Sequence, residues 1–173
     1  GRPITIRRYF GVYGPCGRPD MALFKFTKAI LSGEPIDVYN HGEMSRDFTY
    51  IDDLIHAIMY LLNEIPDHAK KISEKRKLLD STSPVAPFRI VNIGNSTPVE
   101  LIKYIKVLEE TLGIPVKMNL MPMQSGDVKS TYADVSLLKA LTDYTPTTSV
   151  EHGIKAFVQW YMCEYKTDVK TKI

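Results

Sequence analysis

The chain has 173 residues, 44% of them hydrophobic and 24% charged, with a formal net charge of +2. That is about one domain's length with enough apolar material for a core, and the near-neutral balance gives no sign of nucleic-acid binding by charge. The two cysteines, Cys16 and Cys163, form no C-x-x-C pair and join no His/Cys cluster, which argues against a metal site and for a reduced, cytoplasmic compartment; no signal peptide or membrane span is expected.

In chain order, Ile4 to Phe10 is β-branched and aromatic and predicts a strand. It empties into a loop with Gly14, Pro15, Gly17, Arg18 and Pro19, the setting in which open α/β sheets bind ligands. Met21 to Ser32 predicts a helix through Leu23, Phe26 and Ile30, with Gly33 placed to end it. Ile36 to Tyr39 is a short strand, Asn40 to Glu43 a turn, and Asp47 to Tyr50 another extended piece. The clearest helix places Ile51, Leu54, Ile55, Ile58, Leu61, Leu62 and Ile65 on one stripe, with Asp52 and Asp53 in its first turn and Pro66 near its end. Residues 67–87 are the least structured stretch. Their basic run, Lys70, Lys71, Lys75, Arg76 and Lys77, reads as a solvated loop or short surface helix.

Arg89 to Gly94 is a strand entering a turn. Thr97-Pro98-Val99-Glu100 has the form of a capping box with proline at the first helical position. The helix behind it uses Leu101, Ile105, Leu108 and Leu112 and stops at Gly113. Val116 to Leu120 is a strand, followed by a loop from Pro122 to Lys129. Asp134 is placed to cap a short helix containing Leu137, Leu138 and Leu141. Thr148-Ser149-Val150-Glu151 is a second capping box, before a helix through Val150, Ile154, Phe157 and Tyr161. The tail from Lys166 is polar and expected to fray.

Strands alternate with helices, so the class is α/β, with one domain over residues 1–165 and a polar tail over 166–173. The four histidines are scattered and read as surface or satisfied groups. No tyrosine has a lysine four residues on, so none has a cation on its own helix face to make it a base. A G-x-x-G-x-x-G turn, which would seat a dinucleotide pyrophosphate on a helix N-terminus, is not expected either.

Several segments resemble, in order, those of the extended short-chain dehydrogenase/reductases that act on nucleotide sugars. They are Arg8 to Pro15 (RYFGVYGP), Gly17 to Ala22 (GRPDMA), Pro35 to Tyr39 (PIDVY), Arg46 to Asp53 (RDFTYIDD), Val91 to Asn95 (VNIGN), Met123 to Val128 (MQSGDV) and Thr131 to Asp134 (TYAD). Within that family the chain is most similar to the UDP-glucuronate 4-epimerases. The resemblance implies the C-terminal, substrate-binding portion of such an enzyme, with the N-terminal Rossmann part, the tyrosine base and its lysine absent from this chain. It implies a reaction in which bound NAD oxidises the sugar at C4, the keto sugar rotates, and hydride returns to the other face. UDP-glucuronate and UDP-galacturonate would so interconvert, in the service of polysaccharide biosynthesis. NAD belongs to the complete enzyme, and this chain alone is expected not to bind it and to be inactive. The implied partners are a UDP-sugar, the missing N-terminal half and a second copy in a homodimer. A nucleotide-sugar dehydratase or decarboxylase, and a non-catalytic UDP-sugar-binding module, are the alternatives.

The resemblance also assigns residues. Phe10 would approach the nicotinamide, or else be core. Gly11 stands where the family presents a polar side chain to the substrate, and its lack of one removes a hydrogen bond. Arg18 would meet the glucuronate carboxylate or the diphosphate, or else be a surface arginine. Asp37 and Tyr39 lie where main-chain groups face the uracil, with Tyr39 packing on the base. Arg46 would grip the diphosphate, its plainer alternative being an ion pair with Asp47 or Asp52. Asp127 would accept from the ribose hydroxyls, and Gln124 stands where galactose-type epimerases carry arginine.

Overall fold

The computed structural model describes residues 2–67 and 80–165. The basic run from Lys70 to Lys77 and the tail from Lys166 lie outside the described residues. The fold is α/β, and the chain falls into two compact units: residues 1–12, 47–98 and 132–148 in the first, 13–46, 99–131 and 149–173 in the second.

In the first unit, β1 (Ile4–Tyr9) runs parallel to the strand Phe88–Ile93, in register from Ile4 opposite Phe88 to Tyr9 opposite Ile93. Val91 and Ile93 bury one face of that second strand against α2 (Ile51–Leu61) and the helix Ser136–Thr142, through Leu54, Ala57, Leu61, Leu138 and Leu141. The stripe expected on α2 is wider than the face the core covers. Leu54, Ala57 and Leu61 are buried, whereas Ile55, Leu62 and Ile65 are exposed, the last two beyond the helix end at Leu61. Asp53 does more than favour the helix dipole. It is buried and accepts from the Thr147 and Thr148 N–H groups and the Tyr144 hydroxyl. Burial, then the Asp53 bond, holds that hydroxyl far above the ordinary tyrosine range. Arg89, also buried, meets Asp80 through two nitrogens at 2.9 and 3.0 Å and donates to the Glu64 carbonyl.

In the second unit, α1 (Ala22–Leu31) buries Leu23, Phe24, Thr27 and Ile30, so Phe24 rather than Phe26 completes its inner face. After the two-residue β2 (Val12–Tyr13), strand β3 (Ile36–Val38) runs parallel to Met118–Leu120. The turn after β3 carries Asn40 and His41 in the left-handed region (φ 49° and 50°), with the Asn40 side chain donating to the Glu43 carbonyl. Next comes β4 (Ser45–Arg46), antiparallel to Val99–Glu100. This ladder overturns the first capping box. Val99 and Glu100 are extended and pair with Arg46 and Ser45, and the helix Leu101–Leu112 begins behind them without a side-chain cap. Main-chain pairing wins because it satisfies backbone groups on both segments at once. That helix ends where expected, on Gly113 at φ 66°. The second box is shifted by one residue: Ser149 caps the helix Val150–Glu164 and accepts from the His152 N–H. The last helix packs beside Leu101–Leu112 and carries Phe157 and Tyr161 edge-on to Phe24.

Candidate functional site

β4 is locked into its ladder, and Arg46 at its end meets the 127–129 segment. Its guanidinium donates to the Asp127 carboxylate at 2.8 Å and to the carbonyls of Ser45 and Lys129 at 2.9 and 3.2 Å. The expected alternative partners, Asp47 and Asp52, are not the ones it takes. Asp127 comes from a turn in which its own N–H donates to the Gln124 carbonyl, with Gly126 at φ 82°, and its carboxylate also accepts from the Val128 N–H. Two segments 81 residues apart thus join a guanidinium to a carboxylate, with both side chains partly open at 23% and 33% exposure.

The remaining sequence-predicted residues divide. Gln124 is exposed and shares the Asp127 turn. Asp37 is exposed on β3 and accepts from the Asn119 amide at 3.2 Å, and Tyr39 is half-buried at the end of that strand. Arg18 bonds Asp20, two residues on, and joins none of the other predicted residues. That bond holds the Asp20 carboxyl below its ordinary range. Asp134 accepts from the Ser136 N–H at 2.9 Å, but it stands one residue before the N-cap expected of it: the cap position is Val135, which makes no side-chain cap bond. An open groove of about 690 Å³ lies beside the β4 ladder. Ser45, hydrogen-bonded to Ser130, lines it, and none of the predicted residues does.

In the first unit, Phe10 is half-buried against the core and Gly11 is exposed with φ at 47°. A Cβ on Gly11 would stand 2.2 Å from the Asp47 carbonyl oxygen. The main chain of Asp47 occupies the space a side chain would need, so the departure at position 11 is built into this backbone.

Two features escaped the sequence reading. Gly11, Gly14 and Gly17 do spell G-x-x-G-x-x-G. The structure shows that they are no dinucleotide turn, since Val12–Tyr13 is extended between them and the next helix opens only at Ala22. The other is Asp47, completely buried, whose carboxylate accepts from the N–H groups of Asn95, Ser96 and Ala133 at 2.9, 3.0 and 2.8 Å. Its one sequence signal is an acid within a run otherwise suited to a buried strand, Asp47-Phe48-Thr49-Tyr50.

Residues 1–73 match the profile of the NAD dependent epimerase/dehydratase family. A probable UDP-glucuronate 4-epimerase of Rhizobium meliloti is 49% identical over 164 residues, covering 95% of this chain and 48% of its own length. UDP-glucuronate 4-epimerase 4 of Arabidopsis thaliana is 41% identical over 174 residues, covering 98% of this chain and 38% of itself. The crystal structure of UDP-glucuronic acid 4-epimerase from Bacillus cereus, in complex with UDP-glucuronic acid and NAD, superposes with a TM-score of 0.76 at 32% identity. It covers 94% of this chain and 46% of that one. The chain therefore spans about half the length of the relatives it matches. Among the described residues no helix is long and apolar enough to cross a membrane.

Proposed function

This chain belongs to the NAD dependent epimerase/dehydratase family, among its nucleotide-sugar epimerases, and from that premise we propose that it is the substrate-binding portion of a UDP-glucuronate 4-epimerase. Residues 1–165 would form that portion, in a reduced cytoplasmic compartment. The observation that carries the reading is the Arg46–Asp127 pair, a forked cation and a diol-type acceptor held together yet partly open to solvent. The guanidinium would bind the diphosphate in two-pronged fashion, trading its carboxylate partner for phosphate oxygens. Asp127 would turn to the ribose hydroxyls, Asp37 and Tyr39 would border the base, Arg18 would meet the glucuronate carboxylate or the diphosphate, and Gln124 would contact the substrate. Phe10 and Gly11 would face the nicotinamide and the hexose. NAD would supply the hydride acceptor in the complete enzyme, through the half of the relatives' length that this chain does not span.

The test uses the protein extended to its relatives' full length, incubated with UDP-glucuronate and NAD. The expected product is UDP-galacturonate, without release of carbon dioxide or water. Release of carbon dioxide would make it a decarboxylase, and a dehydrated keto sugar a dehydratase. The 173-residue chain alone is expected to give no product and to bind UDP only weakly.

A further inference from the structure

Asp47 ties together the loops that leave two parallel strands. Its Oδ1 accepts from the Asn95 N–H, two residues past the strand Phe88–Ile93, while its Oδ2 accepts from Ser96 and Ala133. The same segment grips the exit of β1. The Thr49 N–H donates to the Gly11 carbonyl at 3.1 Å, the Thr49 hydroxyl to the Phe10 carbonyl at 2.6 Å, and the Asp47 carbonyl lies over Gly11. Gly94 completes the joint. A Cβ there would stand 2.3 Å from the Ala133 Cβ, 3.3 Å from Asp47 Oδ2 and 3.4 Å from the Phe10 Cβ.

Both strands are parallel and both loops lie at their carboxyl ends, where open α/β sheets bind ligands. A neutral side chain could not serve all three N–H groups, because an amide of the same size turns a donor toward one of its oxygen's partners. Resting on the epimerase reading above, we propose that the buried Asp47 carboxylate is a positioning residue. By clamping the 94–96 and 133 segments under Phe10 and Gly11, it fixes the backbone that meets the nicotinamide and the hexose, without touching either. The argument for position rather than mere stability is geometric. The carboxylate is spent on loop backbone at the ligand end of the strands, and hydride transfer tolerates little displacement of the groups around it.

The experiment has two readouts. In this chain, Asp47→Asn is expected to speed amide hydrogen exchange at Asn95, Ser96 and Ala133 by roughly tenfold or more, with distant helices unchanged. In the full-length enzyme, the same variant should lower kcat on the order of 100-fold while KM for the UDP-sugar shifts far less. Thr49→Val, which removes only the hydroxyl tie to Phe10, should lower kcat in the same direction by a smaller factor. Faster exchange with wild-type kcat overturns the proposal, as does a raised KM with kcat intact. Should Asp47→Asn fail to fold, wild-type kcat in Thr49→Val overturns it instead. An unmodified full-length enzyme without epimerase activity defeats the functional reading, and the positioning role with it, while the exchange result at the three amides still stands.

Discussion

Two of the arginine–aspartate pairs, Arg89–Asp80 from the first unit and Arg46–Asp127 from the second, have the same chemistry and opposite surroundings. The side chains of Arg89 and Asp80 are 6% and 3% exposed, and the arginine is further tied to a carbonyl and a threonine hydroxyl. Arg46 and Asp127 are 23% and 33% exposed, and much of their remaining bonding is to main chain of neighbouring loop residues. A buried pair cannot lose one member without stranding a charge. A half-open pair can exchange its partner for a ligand or for water at small cost. The difference marks the first as architecture and suits the second to the binding role proposed for it, and it predicts that stability and ligand binding will respond to different residues.

The largest effect should come from Arg89→Ala, which strands the Asp80 carboxylate. A loss of about 3–5 kcal/mol is expected in denaturant unfolding. Asp80→Asn sharpens the point through pH. Burial raises the Asp80 carboxyl, but the bonds from Arg89 and Thr82 outweigh it, so the folded pKa lies below the ordinary aspartate value. A group depressed on folding stabilises fully above its unfolded pKa, about 3.9, and loses that contribution as pH falls through the folded value. Acid unfolding below about pH 4 should therefore be shallower in Asp80→Asn than in the parent. Equal slopes would show that the pair is not what acid breaks.

Next in size is ligand affinity at the open pair. Arg46→Ala should weaken UDP binding by roughly tenfold or more, the scale of a charged hydrogen bond. Its cost in stability should stay within about 1 kcal/mol. Titration followed by NMR, beside a melting curve, reads both. A stability loss as large as that of Arg89→Ala would erase the distinction between the two pairs.

The sequence revealed the open pair's members but not the devices that hold them. Arg46 and Asp127 stood out through family resemblance, and Gly113 and the helix before it through periodicity and a terminator. The ladder that seats Arg46 was invisible, because Val99 and Glu100 spell a helix start locally and pair only with residues more than fifty positions earlier. The role of Asp47 was invisible for a related reason. Its partners are main-chain N–H groups 48, 49 and 86 residues away, and a backbone donor leaves no trace in composition or spacing. The outer face of α2 was misread because periodicity reports which residues are apolar, not how much of a helix its core covers.

A smaller effect separates the two readings of the last capping box. Ser149→Ala should cost about 1 kcal/mol, because Ser149 accepts from the His152 N–H. Thr148→Ala should cost less, since the hydroxyl at that position is not the cap. A reversal of the two in thermal melts would restore the box as read from sequence.

The smallest change in stability is expected at Arg18, and there the ligand decides. The Arg18 side chain sits in solvent and, among the described residues, bonds Asp20 alone, so Arg18→Ala should leave the melting temperature unchanged. A surface role predicts that every ligand then binds as before. A role at the sugar end predicts a selective loss: UDP and UDP-glucose unaffected, UDP-glucuronate weakened, because only the last carries a carboxylate for the guanidinium to take from Asp20. A uniform loss across all three would instead place Arg18 on the diphosphate. It would then share the role proposed for Arg46, as a second cation whose aspartate partner gives way to phosphate.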